Sequence, residues 1–286
     1  MTDIMTALAL TVLGPLSVGL LLGVDRKLTA RMQNRVGPPI LQPFYDLIKL
    51  FGKERRADNQ AQISYAAACL LLQMVAFIIF ATGGDLLVAF FVSGAGNLAL
   101  ALGAFSSRSA FGQIGGQREL LQVLAYEPVL FLVIFMLGWW NGSFLSDSYS
   151  DNLLGVMILV LVAMMPVVLI VMQKSPFDIA TAHQEIVSGV YVEYSGTYLG
   201  ILELAHWFEL AFIFAVMTLF YNDDDVVLSI AIKVAIVLAF VFFAILIDNS
   251  SARLTRWDMI KLTLLIGIGL VSVNMAAIWL HTEGVF

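Results

Sequence analysis

Several titratable residues stand inside apolar runs of this chain, where they are expensive. Glu127 lies within one such run and is followed at once by Pro128. An ionisable group near a bilayer centre costs on the order of 2.5–3.5 kcal/mol on insertion scales, so it asks for a function or a partner. Pro128 removes a backbone donor and leaves the Leu124 carbonyl open to water or a side chain. An acid beside that break suits a hydrated proton site. The alternative is a structural carboxylate paired with a neighbouring helix. A second apolar run carries Glu203, His206 and Glu209. Steps of three keep them within an arc of about 120° on a helix. The near-neutral pKa of histidine makes His206 a natural relay. Glu203-x-x-His206 matches half of a carboxylate di-iron site, but such a site takes a second Glu-x-x-His, and the chain has none. The plain alternative is a buried polar patch joining helices. Lys233, in a third run, either snorkels toward Asp223, Asp224 or Asp225 or serves as an internal lysine with a movable pKa.

The segment from Lys174 to Gly196, KSPFDIATAHQEIVSGVYVEYSG, is too polar to span a membrane and holds no run of loop residues. It carries Asp178, His183, Glu185 and Glu193. Asp178 and Glu185, seven apart, share a face if the segment is helical. The expectation is a funnel that dips toward the membrane; the alternative is a solvated acidic loop.

These residues need a membrane to hold them. Of 286 residues, 60% are hydrophobic and 13% charged, against roughly a quarter charged in soluble domains. Apolar runs long enough to cross a bilayer fall near 4–24, 63–81, 86–105, 120–140, 153–172, 198–221, 226–247 and 259–280. This predicts an all-α integral membrane protein of about eight spans, one membrane domain over residues 1–286. Glu127 then sits about 13 Å into the fourth span by helix rise. The first run is too long for a signal-peptide core, and its basic residues follow it, so it reads as a retained helix.

Fourteen of the fifteen Lys and Arg residues lie on alternate connections. The first connection holds Arg26, Lys27, Arg31, Arg35, Lys49, Lys53, Arg55 and Arg56; later ones hold Arg108, Arg118, Lys174, Arg253, Arg256 and Lys261. The opposite connections carry Asp85, Asp147, Asp151, Asp223, Asp224, Asp225 and Glu283. The positive-inside rule puts the basic loops in the cytoplasm and both termini outside. A protein partner would dock on Arg26, Lys27, Arg31, Arg35, Lys53, Arg55, Arg56 and Arg118. The single cysteine, Cys69, rules out an iron–sulfur cluster, a thiolate zinc site or a nickel–iron site made by this chain alone. No metal or cofactor is expected in it.

DRKLTARMQNRVGPPILQPFYDLIKLFGKE, from Asp25 to Glu54, resembles the first cytoplasmic loop of the respiratory complex I subunit that holds the quinone channel, and the Lys174–Gly196 segment resembles its other hallmark loop. That subunit type also occurs in energy-converting membrane-bound [NiFe]-hydrogenases, including Ech-type and formate hydrogenlyase complexes. Gly115-Gly116-Gln117-Arg118-Glu119, the Ala182–Glu185 tetrad, Asp248–Leu254 and Lys233 are similar to the hydrogenase branch. Thr181, His183 and His206 stand where complex I members usually carry acids. The resemblance covers the whole chain. It implies a prokaryotic cell-membrane subunit that couples ferredoxin-driven hydrogen evolution in its partners to proton or sodium translocation. The implied coupling residues are Glu127, Asp178, His183, Glu185, Glu193, Glu203, His206, Glu209 and Lys233. The implied partners are hydrogenase large and small subunits bearing a [NiFe] centre, iron–sulfur subunits, an antiporter-like membrane subunit and lipid, with no nucleic acid. The chain itself would carry no redox centre. The alternatives are the quinone-channel subunit of a complex I-like dehydrogenase and a stand-alone transporter. A transporter would be expected to show internal repeats, and the sequence shows none.

Overall fold

Apolar stretches of 20 residues or more fold as helices in lipid because every backbone group must be satisfied within the segment. The structure, a computed structural model, describes residues 4–54 and 59–282; Arg55, Arg56 and Glu283 lie outside the described residues. Its helices are α1 (Ile4–Met32), α2 (Gln42–Phe51), α3 (Gln60–Ala81), α4 (Leu86–Phe105), α5 (Ala110–Asn141), α6 (Leu154–Val162), α7 (Met164–Val171), α8 (His183–Ile186), α9 (Thr197–Thr218), α10 (Val226–Ser250) and α11 (Arg256–Thr282). A 3-10 turn covers Gly189–Tyr191. Seven of these are long and apolar enough to cross a membrane, and α6 with α7 makes an eighth span bent by 45°. The all-α membrane architecture expected from the sequence is therefore present. Even crossings return both ends of the described chain to one face.

Short side chains set the helix starts. Asp85 Oδ1 accepts from the Leu87 and Val88 amides at the head of α4, and Asp225 Oδ1 does the same for Val227 and Leu228 at the head of α10. Each satisfies amides that have no partner in the first turn. Gly142, at φ +70°, ends α5 in the left-handed conformation that glycine adopts freely.

Two helices run well beyond their apolar runs. α1 continues eight residues past Val24 to Met32, and α5 starts ten residues before Leu120. Trp139 and Trp140 mark the far end of α5, as aromatic residues do at a membrane interface. Counting back about 20 residues, the thickness of the hydrocarbon core, reaches the neighbourhood of Glu119. The first two turns of α5 thus stand clear of the membrane on the basic face. The bent α6–α7 pair, α4, α5 and α9 form the enclosed centre, while α1, α3, α10 and α11 leave most of their spans uncovered. Leu8, Val227 and Leu265 on that periphery are exposed, the surface expected of helices that meet lipid. α2 lies on the basic face, with Phe44 edge-on against Trp207 of α9 at 5.3 Å.

Candidate functional site

The enclosed helices α5 and α9 carry the buried acids. On α5, Gly115, Glu119, Gln122 and Tyr126 follow one another at spacings of four, three and four, so they share one face. Gly115 lets the loop come close: a Cβ there would lie 2.5 Å from the Gly189 carbonyl carbon and 2.6 Å from the Val190 nitrogen. The 3-10 turn therefore rests directly on α5, and Glu119 points along the same face toward it. Glu119 also lies within electrostatic range of Glu209 and His206.

Further along α5 and α9, a chain of hydrogen bonds joins neighbouring helices. Tyr126 donates its hydroxyl to Glu209 Oε1 at 3.0 Å, and His206 Nδ1 stands 3.4 Å from Glu209 Oε2. Asn97 donates to the Tyr126 oxygen at 2.6 Å. Gln73 donates to Asn97 Oδ1 at 2.7 Å and accepts from the Ser93 hydroxyl at 2.8 Å. Four helices, α3, α4, α5 and α9, thus share one polar stripe. Glu127 borders a small void where Ser93, Asn97, Tyr126 and Glu209 meet the apolar walls of Phe90, Leu130 and Ile213. A Cβ on Gly94 would come 2.9 Å from Glu127 Oε1, so the carboxylate lies in the space beside this glycine. That Oε1 is buried with no hydrogen-bond partner among the described residues.

The basic face is organised differently. Arg253 grips Asp178 through two bonds, Nε to Oδ1 at 2.8 Å and Nη2 to Oδ2 at 2.7 Å. It also reaches Glu185 Oε1 at 3.6 Å, while Arg118 takes Glu185 Oε2 at 2.6 Å. Arg118 donates as well to the Ile179 carbonyl at 3.2 Å, and Gln122 donates to that of Phe177. A second cluster joins the helix ends: Lys174 Nζ lies 2.8 Å from Asp25 and 3.3 Å from Asp248. The hydrogen bond from Arg118, opposed by partial burial, holds the Glu185 carboxyl below the usual carboxylate range. The Asp178 pair raises the Arg253 guanidinium further. Burial, followed by the carboxylates of Glu119, Glu203 and Glu209, pushes the Tyr191 phenol well above its ordinary value. This places the 3-10 turn within reach of the acidic stripe.

Several expectations change. Asp178 and Glu185 are joined by Arg253 and not by a shared helical face, because only His183–Ile186 within that segment is helical. Arg118, expected on the docking surface, has a side chain that is 13% exposed and held by the loop. His183 Nδ1 contacts the Val187 carbonyl at 2.6 Å; His183, Glu185 and Glu193 lie on the exposed side of the loop. Lys233 donates to Asn222 Oδ1 at 2.6 Å and not to the three aspartates. It stands apart from the stripe. Arg26 is partly tied up by Asp46 at 2.7 Å, whereas Arg31 and Arg35 lie exposed. Sequence reasoning missed Glu119, Tyr126, Asn97 and Gln73. Neutral polar residues in the apolar runs of α3 and α4 were the available signal for the last two.

A model of the NADH dehydrogenase family matches residues 5–279. The chain belongs to that family. Among its members, hydrogenase-4 component C of Escherichia coli (strain K12) is 32% identical over 219 residues, covering 70% of this chain and 69% of the relative. An NADH-quinone oxidoreductase subunit of Syntrophotalea carbinolica is 27% identical over 303 residues, covering 91% and 90%. Formate hydrogenlyase subunit 4 of E. coli is 28% identical over 203 residues, covering 64% and 66%. A chain of the membrane-bound sulfane sulfur reductase, an archaeal respiratory membrane complex, superposes with a TM-score of 0.81 at 25% identity, covering 96% of this chain and 98% of its own. This NADH dehydrogenase family chain is a multi-pass membrane subunit of a hydrogenase- or complex I-like assembly, and it works with partner subunits.

Proposed function

We propose that this chain anchors and couples an energy-converting [NiFe]-hydrogenase in a prokaryotic cell membrane. The observation that carries the reading is the continuity of the two charged regions through one helix. α5 holds Arg118, which grips the loop, and two turns further on Tyr126 and Glu127, which belong to the stripe. A change in charge at the loop therefore acts on the same rod that orients the buried acids.

The proposed path starts at Glu185 and Asp178, passes the 3-10 turn to Glu119, and continues through His206, Glu209 and Tyr126 to Glu127. Glu203 completes the acidic face of α9. Glu193 lies at the exposed entrance. Lys233 is left out of the path because it sits beyond it. Partner subunits would supply the [NiFe] centre and iron–sulfur clusters, docking near Lys27, Arg31, Arg35 and Lys53, with ferredoxin as the electron source and an antiporter-like subunit receiving the charge movement. This chain's residues hold and pass protons, and the redox step belongs to the partners. A potential drop of about 100 mV for two electrons releases roughly 4.6 kcal/mol. Moving one charge against about 200 mV costs roughly the same, which limits coupling to near one ion per hydrogen.

The test uses the complex purified through this chain and placed in sealed vesicles. Nickel should accompany iron. Glu127→Gln and Glu185→Gln should keep hydrogen production from an artificial donor and abolish ion uptake. Full uptake in both variants overturns the path. Iron with flavin and bound quinone, without nickel, assigns the chain to a quinone-reducing complex.

A further inference from the structure

Along the flank of the helix bundle, a cavity of about 480 Å³ opens among α1, α3, α9 and α10. Leu10, Phe77, Phe214, Val234 and Leu238 are among its apolar walls. Its two hydroxyls are already committed to their own helices: Ser17 donates to the Gly14 carbonyl at 2.7 Å and Thr218 to that of Ala215 at 2.7 Å. That leaves Lys233 as the lining side chain with unused hydrogen-bond donors. An ammonium has three donors, and Asn222 takes one.

Lys233 also lacks a counter-charge. Asp223 is occupied by the Tyr221 hydroxyl at 3.0 Å and by the Asp225 amide. Asp225 caps α10. Among the described residues no carboxylate lies within ion-pair distance of Lys233. The residue stands eight positions after Asp225, about 12 Å along the helix, and its chain is long enough to bring the ammonium back toward the headgroup level. A lone cation at that depth needs an anion. The cavity below it offers apolar walls and a volume within the roughly 300–1,000 Å³ common for ligand sites.

We infer that this groove is a binding site for an anionic phospholipid, with an acyl chain between α1 and α10 and the phosphate on Lys233. Charge complementarity selects the occupant: a zwitterionic lipid brings its own cation, and a neutral isoprenoid tail makes no use of the two free ammonium donors.

Native mass spectrometry of the delipidated complex, titrated with dioleoylphosphatidylglycerol or dioleoylphosphatidylcholine, tests this. The unmodified complex should take up one phosphatidylglycerol per copy of this chain with about tenfold preference over phosphatidylcholine, the factor expected of one charge-assisted contact. Lys233→Gln should erase the preference while leaving weak uptake of both lipids. Lys233→Arg should keep it. Ala215→Phe, which fills the groove with Lys233 intact, should abolish the high-affinity uptake. An unchanged preference in Lys233→Gln, or unchanged uptake in Ala215→Phe, overturns the site. So does a bound neutral isoprenoid that both variants retain.

Discussion

The loop on the basic face and the stripe inside the membrane are both built from acids, yet they are balanced in opposite ways. At the loop, Asp178 meets Arg253 and Glu185 meets Arg118 and Arg253, while Asp25 and Asp248 at the neighbouring helix ends share Lys174; Glu193 stays on the exposed side. In the stripe, Glu119, Glu127, Glu203 and Glu209 have one imidazole among them. The ion pairs hold the shape of the loop. The stripe is short of positive charge, so a proton gained at one acid alters its neighbours. On the proposed reading, the loop keeps shape and the stripe transfers charge, and α5 joins them.

The sharpest break removes a link of the stripe. Glu209→Gln leaves the hydroxyl of Tyr126 with an uncharged acceptor and removes the ion-pair partner of His206. Ion uptake in vesicles should fall to background while hydrogen production from an artificial donor persists. Loss of both together would mean that the stripe maintains the fold instead. Next comes the seam between the regions. Gly115→Val places carbon against the Gly189 backbone, where no side chain can yield, and should cost about 1–3 kcal/mol. Thermal unfolding in detergent measures this, and proteolysis should cut the Lys174–Gly196 segment first.

Arg253→Ala opens the loop ring without touching the stripe. Its pair is half-buried, so the loss should lie between the values of surface and buried pairs, about 1–3 kcal/mol. Acid should loosen the same ring. The Glu185 carboxyl is held below its ordinary value by Arg118, so its contribution is complete above the unfolded pKa, near 4.3, and is lost as pH falls through the lowered one. Hydrogen exchange at Glu185 and Ile186 should accelerate below about pH 4, and Glu185→Gln should remove that pH dependence. The smallest effect is expected at Lys27 and Arg31. Their double replacement by Ala should change stability by less than about 0.5 kcal/mol while making partner retention more sensitive to salt.

Much of the architecture was legible in the sequence for a simple reason. Span position follows from apolar length, and the eight runs coincide with α1, α3, α4, α5, the α6–α7 pair, α9, α10 and α11. The stripe on α9 was readable because steps of three need only one helix. What one helix cannot encode was missed. Arg253 and Asp178 are 75 residues apart, and Tyr126 and Glu209 are 83 apart; their meeting is set by packing. Glu119 was hidden by Gly115 and Gly116, which read as a connection. In the structure they are helical, and the loop packs against Gly115 too closely for any larger residue.

The length of α5 has an electrical meaning. Its 32 residues rise about 48 Å, against a hydrocarbon core of about 30 Å. The transmembrane voltage falls almost wholly across that core, so it begins near Glu119 and not at the loop. On the proposed path, protons moving between Glu185 and Glu119 would do so outside the field and carry no current. Those that move between Glu119 and Glu127 cross a fraction of it. On the proposed path, an energised membrane would therefore resist only the inner steps, while the loop would respond to chemistry alone.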